Sequence, residues 1–141
     1  MSFFNDLNEN AYHSCSLHPK TGDRVVLSEK SVLIVEDSAL IAVDIESILA
    51  ELGATDIATE GGGETRIPES RRFDLAVIDI HTASTLGESL IEKLGQESIP
   101  VVFLTTGDET RFETGYTGRS EIVRKPFTYE DLCGAFARLL G

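Results

Sequence analysis

Short apolar runs alternate with segments of helical periodicity along most of the chain. The run at 31–35 shows no period-two alternation, which is typical of a strand that is covered on both faces. The apolar residues from Leu40 to Leu52 then recur at helical spacing, and Gly53 stands where such a helix would end. The full pattern predicts strands at 31–35, 55–58, 75–79, 101–105 and 121–126.

This alternation predicts an α/β fold with a parallel sheet built from βαβ units. We expect five strands in the order 2-1-3-4-5, doubly wound with helices on both faces, as in flavodoxin-like proteins. The helix expected within 61–72 is weak, because three glycines and Pro68 interrupt it. A further helix spans 86–94, and the last helix begins with a capping box of Thr128 and Asp131.

Length indicates the number of domains in the chain, and charge limits the classes of ligand that it can bind. The 141 residues suggest one domain, 31–141, preceded by a polar and mostly flexible extension, 1–30. Twelve Lys and Arg face 24 Asp and Glu, which gives a net charge of −12. This excess of acids argues against nucleic acids and anionic membranes as partners, but it permits cations and basic patches on partner proteins.

The cysteines and the amino terminus predict a cytoplasmic protein. Cys15 and Cys133 lie far apart in the sequence and form no metal-type pair, so we predict two free thiols in a reducing compartment. The first ten residues contain neither a basic region nor a long apolar run, which argues against a signal peptide or membrane span there.

Acidic residues stand at the ends of two predicted strands that should be neighbours in the sheet. Glu36 and Asp37 follow the first strand, and Asp79 ends the third. The carboxyl ends of parallel strands share one edge, so three carboxylates should converge there and repel one another. A Mg²⁺ ion relieves this repulsion and prefers oxygen ligands. We therefore predict a Mg²⁺ site at this edge of the sheet.

A hydroxyl and an ammonium group are predicted at the same edge. Thr105 ends the fourth strand, and Lys125 follows the fifth. A hydroxyl can donate to an anionic oxygen, and a lysine can neutralise one. Together with the carboxylates, these groups favour phosphoryl transfer, in which positioning and charge neutralisation dominate. Asp79 is the natural nucleophile, because a carboxylate can form an acyl phosphate.

The same residues resemble the receiver domain of two-component response regulators. The signature segments are VEDS after the first strand, VIDI around Asp79, Gly87, FLTT with Thr105, and RKPF with Lys125. Their occurrence in this order at the strand ends is specific, whereas any one of them alone is weak. The resemblance covers residues 31–141.

The resemblance implies a role for each matching residue. Asp79 would be the phosphoacceptor, and Thr105 and Lys125 would contact the phosphoryl group. The implied Mg²⁺ ligands are Glu36, Asp37, Asp79 and the backbone carbonyl of His81.

The resemblance also implies the partners of the chain. The phosphoryl donor would be a histidine kinase or a histidine phosphotransfer protein. Because the chain ends at Gly141, directly after the last helix, we expect a single-domain receiver that signals through contacts with a downstream protein. Its catalysis would be limited to its own phosphorylation and dephosphorylation, and the formation of a homodimer stays open.

Two positions depart from the usual receiver pattern. Ala83 replaces a proline in the loop after the phosphoacceptor, and Ile122 replaces the aromatic residue three positions before the lysine. That aromatic usually takes part in the switch, so its absence argues against the usual readout through the fourth helix and the fifth strand. We predict that the segment 107–120 is short-helical or mobile and that phosphorylation orders it. The segment PVVFLTTGD, residues 100–108, is also similar to a variant subgroup of single-domain receivers with a Phe-Ala-Thr-Gly-Tyr-like motif, from which Leu104 and Thr106 differ.

Three alternative functions use the same residues or fold. The first is a pseudo-receiver, a binding scaffold that is never phosphorylated. The second is a Mg²⁺-dependent phosphohydrolase, which usually needs a second acid where His81 stands. The third is a flavin-binding protein of flavodoxin type, whose phosphate three carboxylates would repel.

Overall fold

The computed structural model describes residues 26–61, 71–86, 88–107 and 116–140. The elements in these ranges are β1 (Ser31–Val35), α1 (Ala39–Glu51), β2 (Asp56–Glu60), β3 (Leu75–Asp79), α2 (Ile80–Leu86), α3 (Glu88–Gln96), β4 (Val101–Thr105), β5 (Ser120–Arg124) and α4 (Tyr129–Leu140). The strands form one five-stranded sheet in the order β2-β1-β3-β4-β5, and every neighbouring pair is parallel. The predicted fold class and strand order are confirmed.

The sheet separates two apolar cores, one on each face. In β1, Val32 and Ile34 face the core that α1 and α4 cover, whereas Leu33 and Val35 face the opposite core with residues of α2 and α3. All four side chains are fully buried. This burial on both faces explains why β1 reads as a continuous apolar run and not as an alternating one.

Local side-chain contacts fix where two of the helices begin. The Ser38 hydroxyl accepts a hydrogen bond from the Ile41 N–H at 3.4 Å and caps α1. At α4, the Thr128 N–H donates to Asp131 Oδ2 at 2.9 Å, and the Asp131 N–H donates to Thr128 Oγ1 at 3.0 Å. The predicted capping box is therefore confirmed.

The chain after β3 differs from the sequence prediction. The sequence indicated a loop after Asp79 and a helix over 86–94, but the structure begins α2 at Ile80 and continues with a second helix, α3. The Asp79 carboxylate explains the early start, because it accepts the Thr82 N–H at 2.8 Å and so satisfies a donor of the first turn. The weak helix expected within 61–72 falls largely on 62–70, which lies outside the described residues.

The described part of the predicted extension begins at Val26. Leu27 is fully buried, and its N–H donates to the Leu52 carbonyl at 2.8 Å. Cys133, on the buried face of α4, is disulfide-bonded, so the prediction of two free thiols is wrong at this position. Cys15 lies outside the described residues. Within the described ranges, each helix is too short or too polar to span a membrane.

Candidate phosphoryl-transfer site

The sheet register places the predicted acids at one edge. Val35 pairs with Ile78, so Glu36 and Asp79, the residues that follow in the two strands, lie side by side where β1 and β3 end. Glu36, Asp37 and Asp79 each offer a carboxylate oxygen within 4.8 Å of those of the other two. The convergence expected from the strand ends is present in the structure.

Glu36 is buried at this edge, with 3% of its surface exposed. Its Oε2 accepts the Ser38 N–H at 3.1 Å. Its Oε1 lies 2.9 Å from the Lys125 ammonium, but the described residues supply it with no well-directed hydrogen bond. An ion pair without such a hydrogen bond leaves acceptor capacity on a buried oxygen, as expected of a metal ligand.

Asp79 receives a different set of donors on each oxygen. Oδ1 accepts from Lys125 Nζ at 2.8 Å, whereas Oδ2 accepts from both the N–H and the hydroxyl of Thr82, at 2.8 and 2.7 Å. Burial raises the pKa of Asp79, but the hydrogen bonds from Lys125 and Thr82 outweigh burial and hold that pKa below the ordinary value of 3.8. Asp79 is therefore an ionised carboxylate at neutral pH, as a nucleophile must be.

Lys125 connects the two buried acids. Its side chain is 14% exposed, and its ammonium lies within 3 Å of both Glu36 Oε1 and Asp79 Oδ1, at 2.9 and 2.8 Å. Burial lowers the pKa of Lys125, but the carboxylates of Asp79 and Glu36 outweigh it and raise the pKa above the ordinary value of 10.5. The lysine is thus held in its charged form beside Asp79.

The residues present fit a Mg²⁺ ion. Three carboxylate oxygens converge, Asp37 is exposed to solvent, and a buried oxygen of Glu36 has acceptor capacity to spare. Mg²⁺ prefers hard oxygen ligands and retains several waters, which an exposed edge of this kind provides.

A cleft of about 460 Å³ opens over the acids. Its lining consists of Glu36, Asp37, Ser38, Ile41, Asp79, His81, Thr106 and Lys125. Carboxylates, hydroxyls and an ammonium group around one open cleft can bind a phosphoryl group and neutralise its charge.

The structure places the remaining predicted site residues near this cleft, but in different ways. His81 lies in the first turn of α2 and lines the cleft. Thr105 ends β4 half-buried, and its hydroxyl accepts the Gly107 N–H at 3.0 Å. The next residue, Thr106, is the one that lines the cleft.

Sequence reasoning missed Thr82 and Thr106. Thr82 is fully buried and contacts Asp79 directly, yet a threonine three residues after an acid reads as an ordinary helix residue. The second threonine of the FLTT segment was the available signal for Thr106. Gly87, part of the signature, and residues 108–115 of the segment predicted to be ordered by phosphorylation lie outside the described residues.

Comparisons with solved structures agree with this architecture. The receiver domain of PhyR from Erythrobacter litoralis is 28% identical, with a TM-score of 0.59, and the match covers 80% of this chain and 91% of that one. SdrG from Sphingomonas melonis is 30% identical, with a TM-score of 0.59 and coverage of 79% and 97%. No curated protein sequence matches the chain.

Some of the similar structures are longer proteins. The anti-anti-sigma factor PhyR from Bartonella quintana is 23% identical, with a TM-score of 0.57, and the match covers 79% of this chain but 47% of that one. The chain thus spans about half the length of such relatives. At 23% identity, the likeness to the Bartonella quintana protein shows the fold alone.

A family model decides the assignment. The model of the response regulator receiver domain matches residues 32–137, which include most of the two apolar cores and every described residue of the cleft. Receiver domains are signalling modules, and they bind Mg²⁺ through an acidic pocket of the kind formed by Glu36, Asp37 and Asp79. The similarity of residues 100–108 to the Phe-Ala-Thr-Gly-Tyr-like subgroup stays a prediction. The chain belongs to the response regulator receiver domain family.

Proposed function

We propose that this protein accepts a phosphoryl group on Asp79 from a phosphohistidine, in a Mg²⁺-dependent reaction, and signals through protein contacts. The donor is a histidine kinase or a histidine phosphotransfer protein. The observation that carries the proposal is the Lys125 ammonium, which pairs with both Glu36 and Asp79 beside an open cleft. A buried, ionised carboxylate with a charged lysine at its side is prepared for attack on phosphorus.

The reaction follows from the groups around Asp79. Oδ1 attacks the phosphorus atom, a P–Oδ1 bond forms, and the P–N bond of the donor breaks with its electron pair left on the imidazole nitrogen. Lys125 shifts from carboxylate oxygens toward the phosphoryl oxygens, whose negative charge it neutralises. We assign as donors to the same oxygens the Thr105 hydroxyl, at the end of β4, and the Thr106 hydroxyl, which lines the cleft.

The cation contributes charge neutralisation. Held by Glu36, Asp37, Asp79 and the backbone carbonyl of His81, Mg²⁺ supplies positive charge to the phosphoryl group when bound. Without Mg²⁺, the three acids would repel the incoming phosphoryl group, and Lys125 would be left to offset this repulsion. We therefore propose that labelling depends on Mg²⁺.

Intact-mass measurement after incubation with acetyl phosphate tests the proposal. The wild type should gain one phosphoryl mass with Mg²⁺ and none with EDTA, and Asp79→Asn should gain none. Asp44→Asn is the matched control, because Asp44 is an exposed acid on α1 that does not line the cleft. Labelling of Asp79→Asn at the rate of the wild type would contradict the proposal.

The same experiment separates a second candidate function. Ile122, at the position where receivers usually carry the switch aromatic, is 57% exposed on β5. An exposed aliphatic side chain there favours a binding surface, as a pseudo-receiver scaffold would have. A scaffold would show no Mg²⁺-dependent labelling of the wild type.

A further inference from the structure

Thr82 joins two segments of the site through a single buried hydroxyl. The residue lies in the first turn of α2 and is fully buried. Its hydroxyl donates to Asp79 Oδ2 at 2.7 Å and accepts the Asp37 N–H at 3.2 Å. The oxygen therefore lies between the nucleophile at the end of β3 and the acidic turn after β1.

The two oxygens of Asp79 are held differently as a result. Oδ2 carries two neutral donors, the N–H and the hydroxyl of Thr82, at 2.8 and 2.7 Å. Oδ1 carries the Lys125 ammonium at 2.8 Å. Lys125 also borders the cleft, so Oδ1 is the oxygen on the side of an incoming phosphoryl group.

The backbone contact alone has a plain structural explanation. A strand-end acid commonly accepts an N–H from the first turn of the following helix, and Asp79 does so for α2. The hydroxyl is not needed for that cap. It adds a second donor to the same oxygen, so it acts on the Asp79 carboxylate itself and not only on the end of α2.

We propose that Thr82 is a positioning residue that reserves Oδ1 for the phosphoryl group and, through its hydroxyl on Oδ2, shortens the lifetime of the acyl phosphate. This inference rests on the proposed function of Asp79 as phosphoacceptor. Thr82 acts through its two contacts with Asp79 Oδ2.

The direction of the effect follows from where charge develops. In hydrolysis, the oxygen of a water molecule attacks phosphorus and the P–Oδ1 bond breaks. The bonding electron pair goes to the Asp79 carboxylate, and the proton of the water leaves with the phosphate or the solvent. The new negative charge spreads over both carboxylate oxygens, so the hydroxyl on Oδ2 stabilises the leaving group as it forms. Removal of the hydroxyl should therefore slow the loss of phosphate.

Two pairs of variants isolate the hydroxyl. Thr82→Val removes it and keeps the side-chain shape, and Thr82→Ala compared with Thr82→Ser removes it in a smaller side chain. Each variant keeps the Thr82 backbone N–H that holds Oδ2, so labelling by acetyl phosphate should persist. If Thr82→Val does not fold, as judged by thermal unfolding, the comparison of alanine with serine provides the same test.

The readout is the decay of the phosphorylated mass at constant Mg²⁺ after acetyl phosphate is removed. We expect the lifetime to lengthen about tenfold without the hydroxyl, since tenfold corresponds to about 1.4 kcal/mol, which is within the net contribution of a typical hydrogen bond. Because serine keeps the hydroxyl, the lifetime of phosphorylated Thr82→Ser should lie within about twofold of that of the wild type. If Thr82 had only a structural role, the lifetime would not be close to that of the wild type in Thr82→Ser and long in Thr82→Ala.

The outcomes separate this inference from the proposed function. Equal lifetimes in folded variants with and without the hydroxyl, with Asp79-dependent labelling intact, would overturn the role of Thr82 alone. Absence of labelling in the wild type would overturn both. Slow decay in Thr82→Val and Thr82→Ala with fast decay in Thr82→Ser would support the inference.

Discussion

At the scale of single residues, Lys125 determines whether the acidic site is stable without a metal. Its ammonium is the charged partner of two acids that are almost fully buried, Glu36 and Asp79, whose side chains are 1% and 6% exposed. Buried pairs of this kind add little relative to apolar side chains, but removal of one partner leaves an uncompensated charge. Loss of Lys125 should therefore destabilise the folded protein by more than the loss of an exposed lysine would.

We expect Lys125→Met to lower the free energy of unfolding by about 2–4 kcal/mol in Mg²⁺-free buffer, because two buried carboxylates then face each other. Urea unfolding in EDTA measures the loss. Arg138→Gln is the control: its guanidinium pairs with Glu121 at 2.7 Å on the surface, with 59% of the arginine side chain exposed. That variant should change stability by less than about 1 kcal/mol. Equal losses in the two variants would contradict the buried role of Lys125.

The sequence predicted the charged residues of the site but not the neutral one. Strand ends can be located from apolar runs, and in a parallel sheet they share an edge, so Glu36, Asp79 and Lys125 could be placed together before the structure was known. Thr82 could not. Its contact depends on α2 starting directly after Asp79, and that early start is itself caused by the Asp79 carboxylate.

At the scale of elements, Tyr116 links the segment before β5 to α3 and to the residues just before β4. Its hydroxyl donates to the carbonyls of Leu94, in α3, and Ile99, just before β4. Its ring meets Phe103 edge-on, with centroids 5.8 Å apart. A Cβ at Gly118 would lie 2.7 Å from that ring, so a glycine is needed for the close approach. The aromatic ring fills the core on this face of the sheet.

Tyr116→Phe should cost about 1–2 kcal/mol at pH 7, because buried carbonyls lose a donor. Burial raises the pKa of Tyr116 to about 12, from an ordinary value of 10.0. The stabilisation by a group with a raised pKa is complete below the unfolded value and is lost as pH rises through the folded one. The difference between wild type and Tyr116→Phe in urea unfolding should therefore shrink from pH 10 upward.

A control and a contrary result complete this test. Thr55→Val removes a hydroxyl from an exposed residue before β2, and it should shift stability by no more than about 0.5 kcal/mol at any of these pH values. A difference between wild type and Tyr116→Phe that is constant from pH 7 to the alkaline limit would show that the pKa of Tyr116 is the same in the folded and the unfolded protein, so that burial does not raise it.

The segments on either side of β5 show why some contacts can be predicted from the sequence and others cannot. The capping box of α4 joins residues three apart, so a local pattern was sufficient to predict it. Tyr116 instead bonds to carbonyls 17 and 22 residues away. No periodicity in its own segment records those partners, because they are set by the packing of α3 and β4.

At the scale of the whole molecule, the chain carries a net charge of −12, and three of its carboxylates meet at the cleft, where their oxygens lie within 4.8 Å of one another. A cation that binds only the folded state shifts the unfolding equilibrium by mass action. The repulsion is partly relieved by Lys125, which contacts Glu36 and Asp79. Asp37, the exposed acid of the three, is left for solvent and cations.

Mg²⁺ should therefore stabilise the protein through Asp37 and not through general screening of its charge. At a Mg²⁺ concentration about ten times the dissociation constant, linkage gives about 1.4 kcal/mol, visible as a rise in Tm. Asp37→Asn should lose most of that rise. Asp44→Asn, which removes the same charge from an exposed acid of α1, should keep it. NaCl at matched ionic strength screens exposed charges without occupying a site, so it should give a smaller rise that is equal in all three proteins. Equal Mg²⁺ responses in the two variants would mean that the ion acts on the total charge, and the acidic edge would then lose its standing as a metal site.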